Sequence, residues 1–582
     1  MKLWEERMRR YLKPVAIATA SFAAVFFAAT AVYAATTCEG LVNLSLPHGQ
    51  ITAAQTITGG IFNTPPGCTS GSTGCTTNTG LPQFCRVAGT ATPTNDSIIN
   101  FEVWIPTDTS FNGKYEQLGC GGFCGSITYS GLANAITRGY AAAATDDGSQ
   151  AGGQATFALG HPEKIIDFGY RALKETTDKS KAIITGLTGQ GPQRSYFNGC
   201  SDGGREALME AQRYPDDFDG IIAGSPANFW THLLVAAVWN EQALLDHPAS
   251  YIPPSLLPVL SKGALAHCVG QDGGVKTDLF LNDPRDCQFD PATVQCAPGQ
   301  DPTTCLSSAQ VTAARKIYRG AHNPATGELI FPGYEPGSES NPSNWPAWIT
   351  GASRDVNLSN STGQALQLFF GNGFFGYFVF QDPNFDFRTL NFTTDVTFTD
   401  DYFSTILNST DPDLRPLRAH GAKIIHYVGW ADSAIAPANS VNYYNSVRAE
   451  LAGVEPGRQN GDRWEEIQQF YRLFMVPGMA HCSGGDGPNS FGNGTSKGPV
   501  IDADHDLLKA LERWVEQGVV PEKIIATHYV NNTPASGVQF QRPLCPFPQV
   551  ARYTVGDPTN ADNFKCVQDE PDRDPRDLSN SN

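Results

Sequence analysis

The sequence predicts an α/β fold with a mostly parallel central sheet, and three observations support this class. Short apolar runs typical of buried strands alternate with segments of helical spacing, both before about residue 229 and after about residue 418. Glycine-rich turns follow several of these runs. Hydrophobic residues make up 40% of the chain and charged residues 17%, which is typical of a folded globular protein. With 582 residues, at least two structural units are expected.

Residues 1–34 are predicted to be a secretory signal peptide. A basic start precedes an apolar run from Val15 to Tyr33, and small residues up to Ala34 offer a cleavage site. An uncleaved membrane anchor is the alternative, because the run is nearly long enough to span a bilayer. Its composition and its cleavage-like end favour removal. The mature protein is therefore expected to be secreted or periplasmic, with no membrane attachment.

The charge of the chain excludes some partners. The net charge is −18, and residues 1–34 carry five basic and two acidic side chains, so their removal leaves about −21. A surface this acidic repels phosphate backbones and anionic lipid, so no nucleic-acid or membrane partner is expected.

The core is predicted in two parts, residues 35–228 and residues 419–582. Strands are predicted near residues 98–105, 140–144, 195–198 and 218–223 in the first part, and 423–428 and 471–476 in the second. Helices are predicted over about residues 162–187, 204–214 and 507–515, the last ending at Gly518.

Residues 229–418 are predicted to form an inserted second unit. This segment is rich in proline, asparagine and aromatic residues, and it interrupts the strand–helix alternation. Its phenylalanines between Phe369 and Phe380 have two interpretations. They form the core of the inserted unit, which is the commoner case, or they wall a pocket that binds an aromatic group.

A nucleophilic serine is predicted at Ser201. Residues 199–203 match G-x-S-x-G, a tight turn between a predicted strand and a predicted helix that exposes the serine hydroxyl. A hydroxyl needs a base to remove its proton, and two later strands end near suitable residues, Asp432 and His481. The order Ser, Asp, His is typical of α/β-hydrolases. His481 is the expected base, and Asp432 the acid that orients it.

Two backbone N–H groups are predicted to stabilise the oxyanion of the transition state. One belongs to Asp202, directly after the nucleophile. The other is assigned to the glycine-rich turn at residues 119–125, to Gly121 in preference to Gly122. A loop that is simply held by a disulfide is the alternative interpretation of this turn.

Fourteen cysteines in an exported protein indicate disulfides. The absence of CxxC pairs and of clustered histidines argues against zinc. The order of the cysteines favours local pairs and leaves Cys200 and Cys482, which adjoin Ser201 and His481, for one another. The full hypothesis is Cys38–Cys85, Cys68–Cys75, Cys120–Cys124, Cys200–Cys482, Cys268–Cys287, Cys296–Cys305 and Cys545–Cys566.

These motifs resemble those of the tannase and feruloyl esterase family, which includes bacterial hydrolases of mono-hydroxyethyl terephthalate. The matching residues are Gly199-Cys200-Ser201-Asp202-Gly203-Gly204-Arg205, Gly429-Trp430-Ala431-Asp432 and His481-Cys482. The resemblance spans about residues 38–566. It implies an α/β-hydrolase core with a large inserted lid domain, the triad of Ser201, Asp432 and His481, and the Cys200–Cys482 bridge. No cofactor is expected for catalysis.

The resemblance also raises the question of a structural calcium ion in the lid. Family members often bind one in a loop that begins with Cys-Asp, whereas Val269 follows Cys268 in this sequence. Asp272 and Asp278 are the candidate ligands that remain, and the loss of one charged oxygen ligand is expected to weaken binding.

The expected function is hydrolysis of small aromatic esters, with hydroxycinnamic or gallic acid as the acyl group. Hydrolysis of a terephthalate monoester is the alternative within the family. A peptidase would use the same triad, and only the resemblance argues against it. The alternative from another class is a secreted binding protein that has lost catalysis, against which the complete triad argues.

Overall fold

The computed structural model describes residues 35–354, 363–453, 464–494 and 496–568. The predicted signal peptide at residues 1–34 lies outside this part of the chain. The strands are Gly49–Ile57 (β1), Ile61–Thr64 (β2), Thr76–Thr79 (β3), Phe84–Ala91 (β4), Ile99–Pro106 (β5), Lys114–Leu118 (β6), Ala141–Thr145 (β7), Arg194–Cys200 (β8), Gly220–Gly224 (β9), Ala321–His322 (β10), Leu329–Phe331 (β11), Lys423–Gly429 (β12), Tyr471–Val476 (β13), Ile524–Tyr529 (β14), Val538–Leu544 (β15), Gln549–Tyr553 (β16) and Phe564–Gln568 (β17).

Nine strands form the central sheet in the order β1-β4-β5-β7-β6-β8-β9-β12-β13. The six strands from β7 to β13 run parallel to one another, whereas β1, β4 and β5 join them by antiparallel pairing. The predicted α/β class and the mostly parallel sheet are therefore confirmed. Because β8, β12 and β13 are parallel, the loops that follow them emerge at one edge of the sheet.

The helices cover both faces of the sheet and make up most of the segment between β9 and β12. They are Tyr129–Thr137 (α1), Pro162–Ile166 (α2), Ala172–Thr188 (α3), Asp202–Arg213 (α4), Trp230–Leu245 (α5), Leu257–Cys268 (α6), Ser308–Arg319 (α7), Trp345–Trp348 (α8), Leu366–Gly373 (α9), Thr394–Leu407 (α10), Arg415–His420 (α11), Pro437–Ala452 (α12), Trp464–Ile467 (α13) and Leu507–Gln517 (α14). The helix predicted over residues 162–187 contains a π-helical turn at Asp167–Arg171 between α2 and α3.

The segment between β9 and β12 contributes most of the residues of one large hydrophobic core. Phe374, Phe375 and Phe378 are fully buried there, so these members of the phenylalanine cluster are core residues rather than pocket walls. This core also includes Phe123 and Phe168 from the first part of the chain, so it is continuous with the layer beside the sheet. The domain boundaries at residues 229 and 418 remain a prediction.

Strand β6 was not predicted from the sequence, because it lacks the run of apolar residues that is typical of a buried strand. Glu116 and Gln117 are both buried at the centre of the sheet. Their polar atoms are satisfied by neighbours: Asn198 donates to Glu116, and Tyr115 donates to Gln117. Burial of such groups is tolerated when they are hydrogen-bonded, and their polarity hides the strand from an apolar pattern.

All seven predicted disulfides are present, and together they account for the fourteen cysteines. Within the described ranges, we find no helix of the length and apolarity that crossing a bilayer requires.

Candidate active site

The nucleophile turn joins β8 to α4 and has the backbone that this motif requires. Ser201 has φ 67° and ψ −121°, a strained conformation for a residue with a side chain. A Cβ atom at Gly199 would lie 2.3 Å from the Gly203 carbonyl oxygen, so only glycine fits there. Ser201 also donates its backbone N–H to Gly224 at 3.0 Å, which ties the turn to the neighbouring strand.

The predicted acid and base meet at the same edge of the sheet. Asp432 follows β12 and His481 follows β13, and Asp432 Oδ2 lies 2.8 Å from His481 Nδ1. Asp432 Oδ1 accepts the backbone N–H groups of Ala434 and Ile435 at 2.9 and 3.0 Å. The carboxylate is buried, and the imidazole is partly accessible. A carboxylate held in this way can fix the tautomer and the orientation of an imidazole.

Ser201 is linked to this pair through the adjacent cysteines. The Cys200–Cys482 disulfide connects the residue before Ser201 with the residue after His481, across 282 positions of sequence. Cys482 itself has φ 61°, so both ends of the bridge adjoin strained backbone. Among the described residues, no hydrogen bond joins Ser201 Oγ to the His481 ring. Such bonds are commonly long without substrate and shorten in the reacting complex.

One backbone hydrogen bond joins the two segments that carry the predicted oxyanion donors, Asp202 and Gly121. Gly203, in the first turn of α4, donates to the Cys120 carbonyl oxygen at 2.9 Å, which brings the glycine-rich turn against the turn that carries Ser201. In the described structure, the N–H groups of Asp202 and Gly121 donate to no protein acceptor. Gly121 faces open space, whereas a Cβ at Gly122 would approach Phe370 to 3.1 Å. This geometry is compatible with Gly121 as the second donor.

Three acidic side chains, which the sequence did not predict as a group, meet beside the start of α4, the helix that follows Ser201. Asp147, Asp202 and Glu206 are all buried and lie within 4.8 Å of one another beside the Cys120–Cys124 disulfide. Burial and, after it, the nearby Asp202 charge raise the pKa of Glu206 to about 7. Burial also raises the pKa of Asp147 well above its usual range. The sulfur atoms are bonded to one another, so they are not thiolate ligands for a metal ion.

Two aromatic side chains of the segment between β9 and β12 lie beside His481 and the glycine-rich turn. The Trp348 ring packs edge-on against His481, with centroids 5.1 Å apart, and is nearly parallel to Phe370 at 6.1 Å. Phe370 in turn contacts Phe123 at 5.4 Å in the glycine-rich turn. Trp348 and Phe370 are only partly buried. They therefore form a wall that an aromatic group bound near His481 can contact.

The two candidate calcium ligands, Asp272 and Asp278, form hydrogen bonds and an ion pair with other groups of this chain. Asp272 accepts three backbone N–H groups, including that of Asn282, and Asp278 forms an ion pair with Arg542 at 3.2 Å. Calcium requires six to eight oxygen ligands. A guanidinium group already supplies positive charge beside Asp278, and burial raises the pKa of both carboxyl groups. These residues fit a calcium ion poorly, so no step of catalysis is assigned to one.

Comparison with known proteins identifies relatives that span nearly the whole chain. A family model described as tannase and feruloyl esterase matches residues 85–567. An uncharacterized esterase of Xanthomonas campestris pv. campestris is 40% identical over 562 residues, which cover 94% of each chain. A probable feruloyl esterase B-2 of Aspergillus terreus is 30% identical over 540 residues, covering 91% of this chain and 95% of its own. The crystal structure of feruloyl esterase B from Aspergillus oryzae matches with a TM-score of 0.78 at 26% identity, covering 91% of this chain and 99% of that one.

Proposed function

Because this chain belongs to the tannase and feruloyl esterase family, and is thus a carboxylic ester hydrolase, we propose that it is a secreted serine esterase for aromatic acid esters. Hydroxycinnamic and gallic acids are the proposed acyl groups. The observation that carries the proposal is the 2.8 Å contact between Asp432 and His481, joined to Ser201 by the Cys200–Cys482 bridge.

In the proposed reaction, His481 takes the proton of the Ser201 hydroxyl as its oxygen attacks the ester carbonyl carbon. Negative charge moves to the carbonyl oxygen, where the N–H groups of Gly121 and Asp202 stabilise it. His481 then gives its proton to the alkoxy oxygen, and the alcohol leaves an acyl-serine. Water attacks this ester with His481 again as the base, and the free acid and the Ser201 hydroxyl are regenerated.

The aromatic acyl group is proposed from the side chains around His481. Trp348 lies beside His481 and Phe370 beside Gly122, and both rings are partly exposed, so they can make the edge-on or offset contacts that an aromatic acyl group prefers. A terephthalate monoester would present a second carboxylate that needs a cation. Arg388 is paired with Asp386 at the surface, 3.1 Å apart, and Arg354 is exposed. Neutral hydroxycinnamate and gallate esters make no such demand.

Secretion is proposed from the disulfides together with the sequence of residues 1–34. Seven disulfides are typical of a protein that matures in an oxidising compartment. Detection of the mature protein in the medium or the periplasm, with its N-terminus near residue 35, is the corresponding measurement.

A comparison of kcat/KM across four methyl or hydroxyethyl esters tests the substrate class. Methyl ferulate, methyl gallate, mono-hydroxyethyl terephthalate and methyl 3-cyclohexylpropanoate are measured side by side, the last having a ring without aromatic character. We expect one of the first two to give the highest value. A highest value for the cyclohexyl ester contradicts an aromatic pocket, and a highest value for the terephthalate contradicts the proposed acyl group alone.

A further inference from the structure

We infer that Glu206 is a positioning residue for ester hydrolysis, because its carboxylate holds the backbone of the turn that carries the Gly121 oxyanion donor. This inference rests on the proposed serine mechanism. Among the residues that the structure describes, no side-chain hydrogen bond or ion pair joins Glu206 to Ser201, Asp432 or His481. It acts on the reaction through the placement of a peptide group.

Helix α4 places Glu206 against the turn. Glu206 lies four residues after Asp202, so both side chains are on one face of the helix that begins at the nucleophile. Glu206 Oε2 accepts the backbone N–H of Cys120 at 3.0 Å. The close fit is visible at Gly119, where a Cβ atom would lie 2.6 Å from Glu206 Oε2. The carboxylate is 1% exposed, so water does not compete for this N–H.

The same helix holds the other side of Cys120. The N–H of Gly203 donates to the Cys120 carbonyl oxygen at 2.9 Å. That carbonyl group and the N–H of Gly121 belong to one planar peptide unit, in which they point in opposite directions. The bond from Gly203 therefore sets the plane of the Gly121 N–H. The bond to Glu206 fixes the preceding peptide, so together the two bonds determine the backbone at Cys120.

The second donor is anchored independently of Glu206. The Asp202 carboxylate is paired with the buried guanidinium of Arg205, with a contact of 2.5 Å. Arg205 also donates to the carbonyl oxygens of Phe168 and Gly169 at 2.9 and 2.8 Å. Loss of the Glu206 side chain is therefore expected to displace Gly121 and to leave the N–H of Asp202 in place.

Glu206 is buried, so its hydrogen bonds must offset the free-energy cost of removing a carboxyl group from water. A carboxyl group without solvent is less stable than an apolar group of the same volume unless its oxygens are hydrogen-bonded. Besides the Cys120 N–H, Glu206 has a side-chain hydrogen bond with Asp147, and burial raises the pKa of the Asp147 carboxyl well above its usual range. Asp202, Arg205 and the Cys120–Cys124 disulfide complete its surroundings.

Glu206→Ala and Glu206→Gln test the inference with methyl ferulate as the substrate. Rates are divided by the active sites titrated with diethyl p-nitrophenyl phosphate, so that misfolded protein does not contribute. In Glu206→Ala we expect kcat to fall about 10- to 100-fold with KM nearly unchanged, since oxyanion donors act in the transition state. Glu206→Gln retains an oxygen that accepts the Cys120 N–H, so we expect it to recover most of kcat.

Two inhibitors distinguish displacement of the Gly121 N–H from a general disruption of the active site. Phenylboronic acid forms a tetrahedral, anionic adduct with a catalytic serine, so its affinity is expected to fall with kcat in Glu206→Ala. Coniferyl alcohol has the ring of ferulate but no carbonyl oxygen, so its affinity is expected to stay unchanged. Glu210→Ala is the matched control, because Glu210 is a fully buried carboxylate one turn further along α4, and in the described part of the chain its oxygens form no hydrogen bond to the glycine-rich turn.

Gly203→Ala provides a second route to the same displacement if Glu206→Ala does not fold. Its Cβ atom would lie 2.8 Å from the Cys120 carbonyl oxygen and would move that peptide without removing a carboxylate. We expect the same joint loss of kcat and phenylboronic acid affinity.

Three results would overturn the inference. They are an unchanged kcat per titrated site, an equal loss of affinity for both inhibitors, and a loss of kcat in Glu206→Gln as large as that in Glu206→Ala. If the wild-type protein takes up no titrant at Ser201, the proposed mechanism itself fails, whatever Glu206 does.

Discussion

Asp432 presents its two carboxylate oxygens to different partners, and this division fixes the orientation of His481. Oδ1 accepts two backbone N–H groups from its own loop, while Oδ2 lies 2.8 Å from His481 Nδ1. Because the carboxylate is held by backbone, the imidazole is oriented by a partner that does not rotate. His481 Nε2 lies on the side of Cys482, with Cys482 Sγ 3.8 Å away.

Asp432→Asn is expected to lower kcat for methyl ferulate by about 10³- to 10⁴-fold, because an amide favours the wrong imidazole tautomer. The amide is nearly isosteric with the carboxylate, so circular dichroism and the melting temperature should remain close to those of the wild type. A loss of less than about tenfold would mean that Asp432 does not orient the base.

The Cys200–Cys482 bridge is expected to support catalysis as well as stability. The Cys200→Ala/Cys482→Ala variant should lose activity at temperatures where it is still folded, because the serine turn and the histidine loop are then joined only by non-covalent contacts. The closed loop spans 282 residues, so the variant should also lose up to about 5 kcal/mol of stability. Cys68→Ala/Cys75→Ala, which opens a surface loop, is the control. Equal activity in both variants below their melting temperatures argues against a catalytic role.

Trp348→Ala is expected to reduce kcat/KM for methyl ferulate by about tenfold, since it removes a ring contact and its buried area. The loss for methyl 3-cyclohexylpropanoate should be smaller. Trp239→Ala is the matched control, because Trp239 is also partly buried in the inserted segment but contacts Phe392. An equal loss on both esters, or an equal loss in the control variant, contradicts a ring-binding role for Trp348.

Glu206 is expected to make the free energy of unfolding depend on pH. Its pKa of about 7 in the folded protein lies above the ordinary value of 4.5, so the folded state binds the proton more tightly than the unfolded state. The stabilisation is fully present below about pH 4.5 and is lost as pH rises through about 7. Relative to Glu206→Gln, the wild type should therefore lose about 3 kcal/mol between these values in denaturant titrations with the disulfides intact. A constant difference across this range contradicts the raised pKa.

Much of the candidate site was predictable, because residues that follow neighbouring parallel strands lie close together at one edge of the sheet. The relatives confirm the predicted family and the α/β-hydrolase core, whereas the inserted lid and its bounds remain predictions. Asp432 and His481 follow neighbouring parallel strands, so their meeting follows from the strand pattern alone. The cysteine pairs could be derived from their order, since six of the seven bridges close short stretches of chain.

The features that were missed depend on tertiary packing. Trp348 lies far from His481 in sequence, and no local pattern indicates that their rings touch. Within the phenylalanine cluster, only packing decides that Phe370 faces the site while Phe374 is buried. Glu206 carried a usable signal, because a carboxylate four residues after Asp202 on a helix must share its face. Its partner, the Cys120 N–H, could not be inferred from spacing.

Covalent labelling tests whether Ser201 is the nucleophile. After incubation with diethyl p-nitrophenyl phosphate, peptide mass spectrometry should find one diethylphosphoryl group on Ser201, in proportion to the lost activity. Ser201→Ala should take up no label, keep the wild-type melting temperature, and lose about six orders of magnitude in kcat. A label on another residue, or turnover by Ser201→Ala at more than a few percent of wild type, would contradict the account.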